Sequence, residues 1–199
     1  MTRRAGYIKS ELRQIILLIA LLLAARSTLA DHYYVPSGSM EYTLRIGDRV
    51  IVDKRAYGFR VPFTTIDIVA QDPVQRGEVV IFDSPKDGKR LIKRVVATGG
   101  DVVTLVAGRL TVNGQFLGSS DDPPIEQFDF RSAFLNLEHG GGPDLYRLQV
   151  PEGRFLAMGD HRGRSMDGRF FGLVAESEVY GRALAVYHRQ GEGFTWISL

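Results

Sequence analysis

Apolar and polar positions follow two different patterns along this chain. From Ile15 to Ala25 the residues are continuously apolar, and with Leu12, Thr28, Leu29 and Ala30 the run reaches the ~17 residues of the shortest membrane spans. Beyond it the pattern turns to short β-branched runs separated by turn residues, the signature of strands. Such runs lie at 49–53, 78–82, 91–96, 101–106, 110–112, 115–117, 146–150, 155–158, 179–187 and 194–197. Pro85-Lys86-Asp87-Gly88 predicts a turn that pairs the second run with the third. Asn113-Gly114 predicts a two-residue hairpin between Leu110-Thr111-Val112 and Gln115-Phe116-Leu117. Residues 118–146 lose periodicity, between the polar Ser119-Ser120-Asp121-Asp122-Pro123-Pro124 and the loop Gly140-Gly141-Gly142-Pro143, and read as a surface insertion or small subdomain.

Composition narrows the class. With 199 residues and 44% hydrophobic residues the chain can bury a core as one domain, with or without an insertion. A formal charge of +2 and scattered arginines do not imply nucleic acid. The absence of cysteine removes disulfides, thiolate metal sites and cysteine nucleophiles. His32, His139, His161 and His188 lack ligand-like spacing and read as ordinary polar residues, so neither a metal nor a cofactor is expected.

Charge also bears on the N-terminal run. Arg3, Arg4, Lys9 and Arg13 precede it against Glu11 alone, which favours export of everything after it. Three readings stand at this point: a retained signal anchor, a signal peptide cleaved after Thr28-Leu29-Ala30, or a buried helix. Arg26 fits a span by snorkelling to the far interface.

Candidate chemistry begins just after that run, at Pro36-Ser37-Gly38-Ser39-Met40-Glu41-Tyr42-Thr43-Leu44. A turn through Gly38 can aim the Ser39 hydroxyl outward while the Ser39 N–H and the Ser37 hydroxyl converge as an oxyanion hole. The same tripeptide also fits a plain flexible turn. A serine needs a base, and among Lys9, Lys54, Lys86, Lys89 and Lys93 only Lys93 lies within an apolar strand, sharing a face with Leu91, Val95 and Ala97. Burial there would make its amine neutral near physiological pH; on an edge strand it would instead snorkel into water. A third block, Gly159-Asp160-His161-Arg162-Gly163-Arg164-Ser165-Met166-Asp167-Gly168-Arg169, is a polar loop mounted on an apolar strand, where site residues often lie. Ser165 could hold the lysine amine, and Asp167 could pair with Arg94 or Arg169. Gly163-Arg164-Ser165-Met166-Asp167 misses the nucleophile-elbow pattern by one residue. His139-Gly140-Gly141-Gly142 precedes no suitable elbow and reads as a flexible loop, and Asp121-Asp122 as a solvated one.

In this order the blocks resemble the bacterial type I signal peptidases, Ser/Lys proteases of family S26. The resemblance runs from the apolar segment nearly to the C-terminus. It rests on Pro36-Ser37-Gly38-Ser39-Met40 with Thr43-Leu44, on Gly47-Asp48 through Lys54 with Ala56-Tyr57-Gly58, on Arg76-Gly77-Glu78-Val79-Val80 followed by Ile92-Lys93-Arg94-Val95, and on Gly159-Asp160 through Arg169. It implies a mainly β fold, a coiled antiparallel β-sheet catalytic domain with a small inserted β region, behind one N-terminal transmembrane helix. Residues 1–11 would be cytoplasmic, 12–30 a retained signal anchor, and 31–199 the extracytoplasmic peptidase domain with an insertion at about 107–146. Ser39 would be the nucleophile, Lys93 the general base, Ser37 the oxyanion donor and Ser165 the residue orienting the lysine. Arg94, Asp160, Asp167 and Arg169 would support them. The implied partners are signal-peptide-bearing preproteins cut after Ala-x-Ala, the lipid surface of the bacterial inner membrane, with Met40 to Leu44 contributing to the contact, and the export translocon nearby.

The chain departs from the family pattern at Tyr42, where proline is usual, and at His161, Gly163 and Gly168 in the last block. A dedicated peptidase with few substrates, as in conjugation systems, is one alternative reading. Others are a self-cleaving Ser/Lys repressor-type protease, which the membrane run disfavours, and an inactive anchored module that binds exported chains.

Overall fold

The computed structural model describes residues 13–16, 18, 30–54, 56, 59–60, 67–69, 72–119 and 123–199. The expected cytoplasmic segment and anchor fall almost wholly outside these residues, as do Asp121-Asp122. Among the described residues no helix is long and apolar enough to cross a membrane.

Short β-branched runs became strands, and antiparallel pairing organises all of them. The main sheet runs β1 (Ala30–Tyr34), β2 (Arg49–Asp53), β15 (Val179–Arg189), β5 (Val79–Asp83), β6 (Arg90–Thr98), β13 (Arg154–Met158), β14 (Val174–Ala175), with β16 (Gly193–Ser198) paired to β15. β3 (Phe59–Arg60) and β4 (Asp67–Val69) form a separate pair. The turn at Pro85 to Gly88 closes the β5–β6 hairpin through the Gly88 N–H to the Ser84 carbonyl at 2.8 Å, with Gly88 at φ 66°.

β6 is central, flanked by β5 and β13. Most of its length is buried on both faces, which is why Leu91 to Ala97 shows no clean alternation of apolar and polar residues. Leu91 and Val95 join Val80, Phe82, Phe155 and Ala157 in one apolar cluster, while Ile92 joins Val79, Ile81, Met40 and Leu44 in another. The period of two ends at Val96: Leu156 pairs with Ala97 but Ala157 with Val95, a bulge that gives β6 an extra residue. Ala97 therefore shares a third cluster with Val96 rather than one with Val95.

Between β6 and β13 the chain leaves this sheet and builds its own. β7 (Val102–Val106), β8 (Arg109–Val112), β9 (Gln115–Phe116) and β12 (Leu145–Gln149) form a four-stranded sheet in the order β12-β7-β8-β9. Asn113 and Gly114 both take positive φ, 52° and 81°, as a primed hairpin turn requires. The aperiodic stretch holds two short strands, β10 (Ile125–Gln127) and β11 (Ser132–Phe134), paired with each other.

Candidate active site

The connection from β1 to β2 carries the serine. Its base is closed by the Val35 N–H to the Asp48 carbonyl and the Gly47 N–H to the Val35 carbonyl, both 2.9 Å. Asp48 is fully buried and bidentate with Arg189, at 3.0 and 2.7 Å, which fixes the far side of the loop to β15. Inside this frame Gly38–Met40 makes one 3-10 turn that presents Ser39, 7% exposed, beside Ser37, with the two hydroxyl oxygens 3.3 Å apart. The Glu41 carboxylate packs against Gly38: a Cβ there would lie 2.6 Å from Glu41 Oε1, and that side chain would have to shift. Met40 and Leu44 are wholly buried in the core beneath the turn, so of the Met40 to Leu44 stretch expected to contribute to a membrane contact the exposed apolar side chain is Tyr42. Tyr42 and Ile46 are the exposed large hydrophobic side chains of this loop.

Lys93 meets the serine from β6. Its Nζ donates to Ser39 Oγ at 2.5 Å and to the Ile92 carbonyl at 3.1 Å, and the residue is 3% exposed. The strand is central and the lysine buried, so the edge-strand reading does not hold. Burial lowers the amine from 10.5 to about 8; Asp167 and Asp160 pull it back up and Arg169 pushes it down.

The block after β13 folds around this pair. Arg94, next to the lysine, donates to both oxygens of the buried Asp160 at 2.9 and 2.8 Å, and also to the Gly77 carbonyl and Thr43 Oγ1. Thr43 Oγ1 in turn donates to Asp160 at 2.5 Å, so the loop that carries Ser39 and the strand that carries Lys93 share one carboxylate. Asp167 takes Arg169 rather than Arg94, through Nε at 2.8 Å and Nη2 at 2.7 Å, and accepts the Gly159 N–H at 3.0 Å. Burial pushes the Asp167 carboxyl up, but these donors hold it below the ordinary aspartate value. Ser165 is 6% exposed and its hydroxyl has no hydrogen-bond partner among the described residues; the lysine amine is engaged by Ser39 and Ile92 instead. Gly159 allows the approach of these parts, since a Cβ there would stand 2.3 Å from both Ser165 Oγ and the Ser39 carbonyl oxygen.

Comparison with known proteins decides the family, because the model described as "Signal peptidase, peptidase S26" matches residues 8–188. The chain belongs to the signal peptidase family S26. It is 32% identical over 192 residues to a signal peptidase I of Pseudomonas fluorescens, covering 84% of this chain and 68% of that protein. It is 31% identical to a signal peptidase I of Leptolyngbya laminosa, covering 91% of this chain and 81% of that one. A signal peptidase I crystal structure from Enterococcus faecalis is similar over 56% of this chain and 97% of its own, at 27% identity and a TM-score of 0.42.

Within this signal peptidase fold, several site neighbours had no signal in the sequence. Arg162 is fully buried and bidentate with the buried Glu126 of β10, at 2.9 and 2.6 Å, and also donates to the carbonyls of Gly108 and Gly159. Within the glycine run taken as a flexible loop, Gly140 is open to solvent but Gly141 is packed. The Gly141 carbonyl accepts Arg169 Nη1 at 2.6 Å, and a Cβ on Gly141 would lie 2.1 Å from Gly108 N. His139 and His161, read as ordinary polar residues, stand in a row with Glu41. His139 Nδ1 lies 3.1 Å from His161 Nε2, and His161 Nδ1 lies 3.1 Å from Glu41 Oε2.

Proposed function

We propose that this chain is a membrane-bound serine endopeptidase that removes N-terminal signal peptides from exported preproteins, cutting after Ala-x-Ala with Ser39 as nucleophile and Lys93 as general base. The observation that carries this reading is the 2.5 Å contact between Lys93 Nζ and Ser39 Oγ, made by an amine whose burial brings it to about 8. An amine poised there is partly neutral near neutral pH, and its lone pair can take the serine proton across that distance.

Neutral Lys93 removes the Ser39 proton as Oγ attacks the scissile carbonyl. The oxyanion falls between the Ser39 N–H and the Ser37 hydroxyl, which stands 3.3 Å from Ser39 Oγ. The ammonium so formed protonates the leaving amine. The neutral lysine then activates a water that releases the acyl group, and the serine is regenerated. Ser165 orients the lysine when its buried hydroxyl turns toward the amine. Asp160 with Arg94, and Asp167 with Arg169, hold the loops in register, and the two carboxylates supply the negative field that limits the fall of the lysine.

Residues 12–30 serve as the signal anchor, with residues 1–11 in the cytoplasm and the catalytic domain outside the bacterial inner membrane, as the basic N-terminus favours. Tyr42 and Ile46, exposed beside the serine, fit a surface that rests on lipid near the translocon. The test is mass spectrometry of the products when the detergent-solubilised full chain meets a preprotein whose signal ends in Ala-x-Ala. One cut after that motif supports the proposal; no cut by folded protein moves the reading to a narrow-substrate peptidase or a non-cutting binding module.

A further inference from the structure

The turn that carries Ser39 is short, and Ser37 at its start makes no side-chain capping bond. Its shape is held from outside by His161, at two points. The His161 N–H donates to the Ser39 carbonyl at 3.2 Å, and the His161 ring contacts Glu41, whose carboxylate packs on Gly38. The ring is 2% exposed, Glu41 is 36% exposed, and the exposed His139 completes the row toward solvent.

Other charged groups around the ring are already engaged. Asp160 is held by Arg94 and Thr43, Arg162 by Glu126, and Glu138 accepts from the Tyr42 hydroxyl at 3.0 Å. Hydrogen-bond accounting in the row is therefore restrictive. His161 Nδ1 faces a carboxylate and donates to it. His161 Nε2 and His139 Nδ1, 3.1 Å apart, can share only one hydrogen. One added proton fits, as an imidazolium between Glu41 and an accepting His139. A second puts hydrogens on both facing nitrogens and breaks the row.

We propose that His161 is a positioning residue for the nucleophile turn, held by Glu41 on one side and His139 on the other, and that the turn loses this brace when both imidazoles are protonated. The inference rests on the reading of Ser39 and Lys93 as the reacting pair. It concerns a proton distinct from the one on Lys93, so the two separate by their order in pH.

The experiment is kcat/KM from about pH 9 to about pH 5 for the solubilised full chain, on an Ala-x-Ala peptide without histidine or side-chain carboxylates. Lys93 alone gives a roughly tenfold loss per pH unit on the acid side. The row adds a second proton, so the wild-type limb steepens toward roughly a hundredfold per unit once both imidazoles are protonated. His139→Gln and His161→Asn, neither of which can take that proton, keep the single-proton slope throughout. Glu41→Gln lowers kcat more than KM, as expected of a group that acts through the serine turn. Wild-type and His139→Gln limbs that stay parallel at one proton overturn the brace and leave the Ser39–Lys93 reading standing. A flat acid limb overturns both.

Discussion

Lys93 Nζ stands 2.5 Å from Ser39 Oγ although 54 positions separate them in the chain, and the amine has lost its water to reach that place. Between about 8, its value in the folded chain, and 10.5, the unfolded chain binds a proton that the folded chain does not. Stability therefore rises with pH across that window, and below it the full cost of a buried ammonium is present. Lys93→Met, of similar shape and uncharged, is expected to abolish activity yet stabilise the fold at pH 7 by on the order of 1–3 kcal/mol. The gain should shrink as pH climbs through that window. Urea unfolding at two pH values checks it.

Arg94 and Asp160 are both almost fully buried, so removing one partner strands the other. Asp160→Asn should destabilise by about 3–5 kcal/mol and loosen both the serine loop and the lysine strand through Thr43. The denaturation midpoint with an unchanged m value would show it.

Arg162 and Glu126 make the same kind of pair across to β10. Here Glu126→Leu alone should cost about 3–5 kcal/mol, while Glu126→Leu with Arg162→Met should recover most of it. A double-mutant cycle by thermal unfolding measures the coupling.

These buried arginines mark where sequence reasoning stopped. β2, β5, β6 and β13 were legible because their apolar runs are local and bounded by turn residues, and Asn113-Gly114 set its hairpin by turn chemistry alone. β10 was not legible: its central residue is Glu126, and a charge buried by pairing reads as a solvated one. The Ser39 and Lys93 blocks were visible as composition, a glycine turn and a lysine in a strand. Their neighbours Glu41, His139 and His161 were not, because ordinary polar residues acquire a role only when loops from distant parts of the chain close on one another.

Gly159 offers a steric test of that closure. Gly159→Ala drives a methyl into the Ser39 carbonyl and the Ser165 hydroxyl, each 2.3 Å from its position. Activity should fall by about tenfold or more, because small displacements of reacting groups are costly. Far-ultraviolet circular dichroism should show the sheet retained.

Ser37 carries the oxyanion assignment. Ser37→Ala should lower kcat by roughly 10²–10³ with little change in KM, as loss of one oxyanion donor does. Steady-state kinetics on the peptide substrate would separate the two constants.

The central claim is the Ser39–Lys93 pair, and the most direct test is turnover of an Ala-x-Ala preprotein by folded Ser39→Ala and Lys93→Arg. An arginine keeps the charge but cannot release its proton. Both variants should lose essentially all cleavage while wild type cuts once after the motif. Cleavage by either variant within about tenfold of the wild-type rate would contradict the assignment.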